Sequence, residues 1–141
     1  MPICIVRANN LYGDYQHIEK IIPATVNAIN NGKKLKIHGG GKSIRNFLHV
    51  LDFARAVQLI TKKSKNGEIY NVKGKFKIRI IDLIKKLSKI SNKNISEFSN
   101  FVKDRPFNDQ RYYIENQKLK NLGWKITKNL EEGLKELIEN K

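Results

Sequence analysis

The stretch "IHGGGKSIRNFLHV" (residues 37–50) sets three glycines, a lysine and a serine in a row, the ingredients of a phosphate-cradling loop. A Walker loop would need a glycine five residues before Gly41, and that position is Lys36. Such a loop would also open a helix, whereas "RNFLHV" carries bulky and β-branched residues in the manner of a strand. The segment therefore reads as a glycine-rich turn between strands, with Arg45 just beyond it. An arginine inside an apolar strand pattern must be paired or aimed at a ligand.

Three other stretches offer related chemistry. In "RANNLYG" (7–13), Asn9 and Asn10 follow an apolar run. Ligands of α/β sheets bind beyond the carboxyl ends of strands, although a plain Asn-Asn turn gives the same pattern. "EKIIP" (19–23) begins a helix, whose N-terminus favours anions, and Lys20 adds a point charge or is an ordinary surface lysine. "KDRPFNDQRYY" (103–113) crowds Asp104, Arg105, Asp109, Arg111 and Tyr112 around Pro106. That density suits a bidentate grip on phosphate or ribose, or an internal Asp–Arg network.

Other reactive arrangements find no support. His17, His38 and His49 lack metal-ligand spacing with Cys or paired carboxylates. Ser43 is in no nucleophile elbow. Cys4, inside "ICIV", reads as a buried thiol. No G-x-G-x-x-G occurs, and no tyrosine is followed four residues later by lysine.

The elements that must position these residues alternate along the chain. "PICIVR" reads as a strand buried on both faces. "EKIIPATVNAINNG" has apolar residues at 21, 22, 26 and 29, a helix face with Pro23 in its first turn and Gly32 as its stop. "KLKI" is a short strand. "LDFARAVQLITKK" is a helix with Phe53, Ala56, Val57 and Ile60 on one side, and "EIYNV" is a strand. "IIDLIKKLSKI" is an amphipathic helix with Ile81, Ile84 and Leu87 inward. "FSNFV" is a weak strand, "NQKLKNLGW" a short helix ended by Gly123, and "NLEEGLKELIENK" a last helix with Leu130, Leu134 and Leu137 on one stripe. Alternating strands and helices predict an α/β fold. The start within an apolar strand suggests the later part of a larger α/β protein.

Length bounds the chain to one domain. Charge is unusual: 28 basic residues against 13 acidic, a net of +15. That favours an anionic partner, namely nucleic acid, a membrane surface or a phosphorylated small molecule. The excess is mostly lysine spread near turns and polar helix faces, as in a solvated basic surface. Four of the six arginines, by contrast, lie inside the stretches above. One cysteine excludes an internal disulfide framework. No run of eighteen apolar residues or signal-like start occurs, so a reducing, cytoplasmic location without membrane insertion is expected.

"RANNLYG…EKIIP", "IHGGGKSIRNFLHVLDFARA", "GEIYNV", "DRPFNDQRYYIENQKLKNLGW" and "LEEGLKELIE" occur in that order over essentially the whole chain. This set resembles the C-terminal part of the dTDP-glucose 4,6-dehydratases, NAD-dependent enzymes of deoxysugar biosynthesis in the extended short-chain dehydrogenase superfamily. "YNV" and "LGW" are shared with epimerases and decarboxylases, while "DRPFNDQRY" with "EKIIP" points to the dehydratase branch. The resemblance implies the last strands and helices of a Rossmann-type sheet plus a small α/β substrate-binding domain. It implies one incomplete unit over 1–141, with 1–8 and about 44–72 contributing to that sheet.

The resemblance also implies roles. Asn10 would contact the diphosphate and sugar, Lys20 and Ile21 the substrate at a helix start, and Lys36, Ile37 and His38 the base. Arg45 would hold phosphate and Asn71 the nucleotide. Asp104, Arg105, Pro106, Phe107 and Asn108 would close over ribose and phosphates with Tyr112 nearby, and Leu11 would lie near the nicotinamide. The phosphate would then be held by Arg45 more than by the glycine turn.

Phe107 stands where relatives often have glycine after the DRP triplet, and Leu11 replaces a polar residue of some members. The dinucleotide-binding glycines, the threonine–acid segment and the tyrosine–lysine dyad of that family are expected upstream of this chain. The expectation is a nucleotide-sugar-binding portion, inactive alone: a fragment, a partner of a separate N-terminal half, or a degenerate gene product. Complete relatives are homodimers. The alternatives are a basic nucleic-acid-binding module, which the poor interleaving of aromatic and basic residues disfavours, and half of a UDP-sugar epimerase or decarboxylase.

Overall fold

A computed structural model describes residues 2–106 and 114–139. The chain runs β1 (Ile5–Ala8), β2 (Leu11–Tyr12), α1 (Ile21–Asn31), β3 (Leu35–His38), a 3₁₀ turn (Gly39–Gly41), β4 (Ile44–Asn46), β5 (Leu48–His49) and α2 (Val50–Lys63). It continues with β6 (Ile69–Val72), β7 (Lys77–Arg79), α3 (Ile80–Ile90), α4 (Ile95–Phe98), β8 (Ser99–Val102), α5 (Gln117–Asn121) and α6 (Leu130–Glu139). The strands pair in twos. β1–β6, β2–β5 and β3–β8 are parallel, and β4–β7 is antiparallel. This is the mixed, mainly parallel α/β arrangement expected from alternating strand and helix patterns.

Two apolar clusters hold it together. One gathers α1, α3 and α6 around Ile22, Val26, Leu83, Leu87 and Leu134, with Phe98 and Phe47. The other packs Ala56 and Ile60 of α2 and Leu119 of α5 against Tyr70 and Val72 of β6, with Trp124 beside them. The expected stops are present. Gly32 closes α1 in the left-handed region at φ 65°, and Gly123 follows α5 at φ 100°.

Three expectations change. β1 is not buried on both faces: Ile3 and Ile5 are 47% and 50% exposed, while Cys4 and Val6 pack on the second cluster. The alternation is that of a strand covered on one side only. Cys4 is correspondingly half-buried, with Sγ 3.0 Å from the Ser64 hydroxyl and donating to the Lys65 carbonyl at 3.2 Å. In α3 the buried stripe is Leu83, Ile84 and Leu87, and Ile81 is half-buried against the glycine turn. In α2, Val57 lies at the edge of the buried face, which Ala56 and Ile60 occupy.

Candidate functional site

Six segments converge on one cleft of about 370 Å³. The loop between β1 and β2 supplies Asn10. Its Nδ2 donates to the Asn46 carbonyl at 3.2 Å, and its own carbonyl accepts from the Leu48 amide at 3.1 Å. Asn10 is thus bolted to β4 and β5 from side chain and backbone. Leu11, half-buried in β2, lines an adjoining hollow that shares Asn10, Lys20 and Phe47 with the cleft.

The start of α1 contributes Lys20, Ile21 and Ala24. Lys20 is the N-cap, extended at φ −73° and ψ 147°. No side chain caps this helix, and no acid sits in its first turn. Pro23 carries no N–H, which costs nothing there because first-turn amides lack helical acceptors anyway. What remains is the positive end of an eleven-residue helix facing the cleft, with Lys20 beside it.

β3 supplies Lys36, Ile37 and His38. Ile37 is fully buried and anchors the strand. His38 Nδ1 lies 3.3 Å from the Lys103 carbonyl, so that nitrogen carries the proton and ties β3 to the segment beyond β8. The parallel register sets His38 opposite Val102, and Arg105, three residues on, reaches the same cleft.

The glycine turn has a packing role. Gly39, Gly40 and Gly41 all have positive φ, at 54°, 65° and 67°. A Cβ at Gly39 would collide with the Asp104 carboxylate, and one at Gly41 would stand 2.9 Å from Ile81. The turn is therefore wedged between Asp104 and the start of α3, and it delivers the chain to Arg45. Arg45 sits half-buried in β4 opposite Ile78, with Nη1 donating to the Ile44 carbonyl at 2.9 Å, and it lines the cleft.

The cleft thus brings together Asn10, Lys20, Ile21, Lys36, Ile37, His38, Arg45 and Arg105. Asp104 lies behind the glycine turn, and its carboxylate accepts from the Arg105 amide at 2.9 Å; neither it nor Pro106 is in the lining. Asn71 lies in β6 opposite Arg7, outside the cleft, with its side-chain oxygen buried and unpartnered. The side-chain nitrogen of Asn9 is also buried without a partner, and the Asn9 amide donates to the Val72 carbonyl at 3.2 Å. An unmet donor and an unmet acceptor thus stand at the carboxyl ends of two paired strands, where buried polar groups are normally satisfied. Phe107, Asn108 and Tyr112 lie outside the described residues.

The cleft also contains Glu19, Ser43, Phe47 and Ile80, which sequence reading did not assign to it. Ser43 was visible beside the glycines. Phe47 and Ile80 carried no signal beyond apolarity. A polar network away from the cleft was equally unforeseen. Asp52, fully buried in α2, accepts from the Thr127 amide and hydroxyl, the Lys128 amide and the Arg55 guanidinium. Burial alone would raise its pKa, but these donors outweigh it and hold the carboxyl below its usual value.

Chemically, the cleft offers cations, amides and a helix N-terminus, a set for holding an anion. Among the described residues, no group of three His, Cys, Asp or Glu is placed to bind a metal ion, and no helix is long and apolar enough to cross a membrane.

Residues 1–137 match the family described as GDP-mannose 4,6 dehydratase. The chain is 40% identical over 139 residues to a trifunctional UDP-glucose 4,6-dehydratase/UDP-4-keto-6-deoxy-D-glucose 3,5-epimerase/UDP-4-keto-L-rhamnose-reductase of Arabidopsis thaliana, covering 99% of this chain and 21% of the relative. It is 37% identical over 143 residues to the human dTDP-D-glucose 4,6-dehydratase, covering 98% and 41%. The crystal structure of the Streptomyces venezuelae dTDP-glucose 4,6-dehydratase with NAD and TYD bound superposes with a TM-score of 0.93 at 29% identity, over 99% of this chain and 43% of that one. The chain thus spans between about a fifth and two-fifths of the length of these relatives.

Proposed function

Because the chain belongs to the GDP-mannose 4,6 dehydratase family, within the extended short-chain dehydrogenases, we propose that its cleft grips the diphosphate of a nucleotide sugar. The chain is then the substrate-binding portion of a 4,6-dehydratase acting on a dTDP-glucose-like substrate. The observation that carries this reading is the meeting of Lys20, Arg45 and Arg105 with the uncapped start of α1 in one cleft. A diphosphate spreads its charge over several oxygens. Arginine meets such a group through paired N–H donors, lysine as a point charge, and a helix N-terminus through its amides.

Asn10, fixed on both sides, would orient the sugar end. Lys36, Ile37 and His38 would form the base-contacting edge, and Glu19 adds a carboxylate able to accept from hydroxyl groups. Asn71 and Asn9 hold unmet hydrogen-bonding capacity, which supports a nucleotide ligand near β6. Asp104, Arg105 and Pro106, with Phe107, Asn108 and Tyr112, would form the closing loop.

NAD belongs to this reading through the complete enzyme, in which it would accept and return the hydride of the dehydration sequence. Within this chain, Leu11 is the residue expected beside the nicotinamide. With no G-x-G-x-x-G and no Tyr-x-x-x-Lys in the sequence, these residues do not hold a dinucleotide by themselves. The chain's own part is to bind and orient the sugar nucleotide. In this reading residues 1–141 are one incomplete unit, with 1–8 and about 44–72 completing a Rossmann-type sheet built by further chain. The complete enzyme would be a homodimer.

Calorimetric titration of the chain with dTDP-glucose tests the reading. Saturable binding is expected, weakened at least tenfold by Arg45→Ala, with no 4-keto sugar formed when NAD is added. Absence of binding, or indifference to both Arg45→Ala and Lys20→Ala, would refute the diphosphate assignment. Turnover by the lone chain would refute the binding-only role.

A further inference from the structure

A second cavity, of about 560 Å³, is built where the β6–β7 turn meets α5 and the segment after it. Lys75, Lys120 and Lys125 line it together with Lys73, and no carboxylate lines it among the described residues. Asp52 is engaged with Thr127, Lys128 and Arg55, and Glu68 with Lys118, while Lys73 and Glu115, which precedes Asn116, each make an interaction of their own.

The walls are held by buried groups. Asn116, 5% exposed, donates Nδ2 to the Lys73 carbonyl at 3.2 Å, and its own carbonyl accepts from the Lys120 amide at 3.0 Å. Gly74 lies so close to the Phe47 carbonyl that a Cβ would collide with it, which pins the turn carrying Lys75. Trp124 and Ile126 supply apolar wall. Trp124 is itself buried, with Nε1 donating to the Asp52 carbonyl at 3.0 Å, so its ring is no platform for a stacked base.

Four lysines lining a bowl of small-molecule size, with Lys120 and Lys125 on the exposed rim of its α5 side, suit a compact polyanion better than an extended one. We propose that this cavity is a second anion site, taking a small molecule that carries two or more linked phosphates. It is separate from the sugar-nucleotide cleft and does not depend on the reading of that cleft.

Trp124 is the chain's sole tryptophan, so its emission reports on this cavity. Titration of the full chain with inorganic tripolyphosphate at low salt should change that emission saturably. Lys120→Ala/Lys125→Ala should raise the dissociation constant at least tenfold, Lys120→Arg/Lys125→Arg should retain binding, and Arg45→Ala should leave it unchanged. The proposal is overturned if no saturable change occurs or if the alanine pair binds like the parent. Loss of the signal in Arg45→Ala would move the binding to the first cleft and overturn it too. Tighter binding of a single-stranded oligothymidylate than of tripolyphosphate would replace the small molecule by nucleic acid.

Discussion

The Asp52 carboxylate accepts hydrogen bonds from both the amide and the hydroxyl of Thr127, at 2.9 and 3.1 Å, across seventy-five residues of sequence. This contact, with the Lys128 amide at 3.1 Å, fastens the first turn of α2 to the segment that leads into α6. Asp52→Ala removes a fully buried acceptor shared by several part-buried donors, so a loss of roughly 1–3 kcal/mol is expected in urea unfolding.

The same carboxylate gives a pH signature. Its folded pKa is depressed, so its contribution is complete above the unfolded value of about 3.9 and is lost as pH falls through the lower folded value. Asp82 is also held below its usual value, by the hydrogen bond from Arg79. The difference between parent and Asp52→Asn stability curves therefore isolates Asp52. That difference should shrink as pH falls below about 4.

His49 predicts a second, higher step. Its neutral Nδ1 accepts from the Leu51 amide at 3.2 Å and so caps α2. Burial lowers its pKa, and the nearby Lys128 acts in the same direction. A depressed folded pKa means that this contribution is present above the unfolded value of about 6.5 and falls away at lower pH. His49→Asn keeps a capping oxygen, so thermal unfolding of that variant should lose the slope between pH 7 and 5.

Two glycines with nearly equal φ separate conformational strain from packing. Gly32 (φ 65°) has open space where a Cβ would stand, while at Gly41 (φ 67°) a Cβ would meet Ile81 at 2.9 Å. Gly32→Ala should cost about 1 kcal/mol, the backbone strain alone. Gly41→Ala should cost about 2–4 kcal/mol, since the clash adds to it. Equal losses in denaturant titrations would mean that the turn does not pack on α3 as described.

Tyr12 and Gly133 form a complementary pair. The Tyr12 hydroxyl is buried without a partner, and a Cβ on Gly133 of α6 would lie 2.6 Å from it. Gly133→Ala should destabilise by about 1–2 kcal/mol despite the better helix propensity of alanine. Tyr12→Phe should be neutral or stabilising, and the double variant should recover part of the loss. A double-mutant cycle with no coupling would contradict this contact.

Most elements were legible because their patterns are local. The apolar spacing of α1 and α6, Gly32 and Gly123 as stops, and the strand character of "EIYNV" follow from periodicity and backbone preference. The short α4, opened by the capping box of Asn94 and Glu97, was not read from the sequence. β7, drawn from the lysine-rich "KGKFKIR", was not either, because its strand state comes from pairing with β4. The one-sided cover of β1 was invisible for a similar reason, since an apolar run does not state how many faces have neighbours.

The sequence alone determined which residue types were available: cations and amides at element ends, with local signals strong enough to place each on a helix start, a strand or a turn. Only the tertiary structure decided that Asn10, Lys20, Arg45 and Arg105 share one cleft, that Asn71 does not line it, and that Gly39 and Gly41 wedge their turn between Asp104 and Ile81. Local patterns record the free energy of neighbours a few residues apart. Which distant segments meet depends on parallel strand pairing and on where buried carboxylates find their donors, and neither leaves a mark at short range.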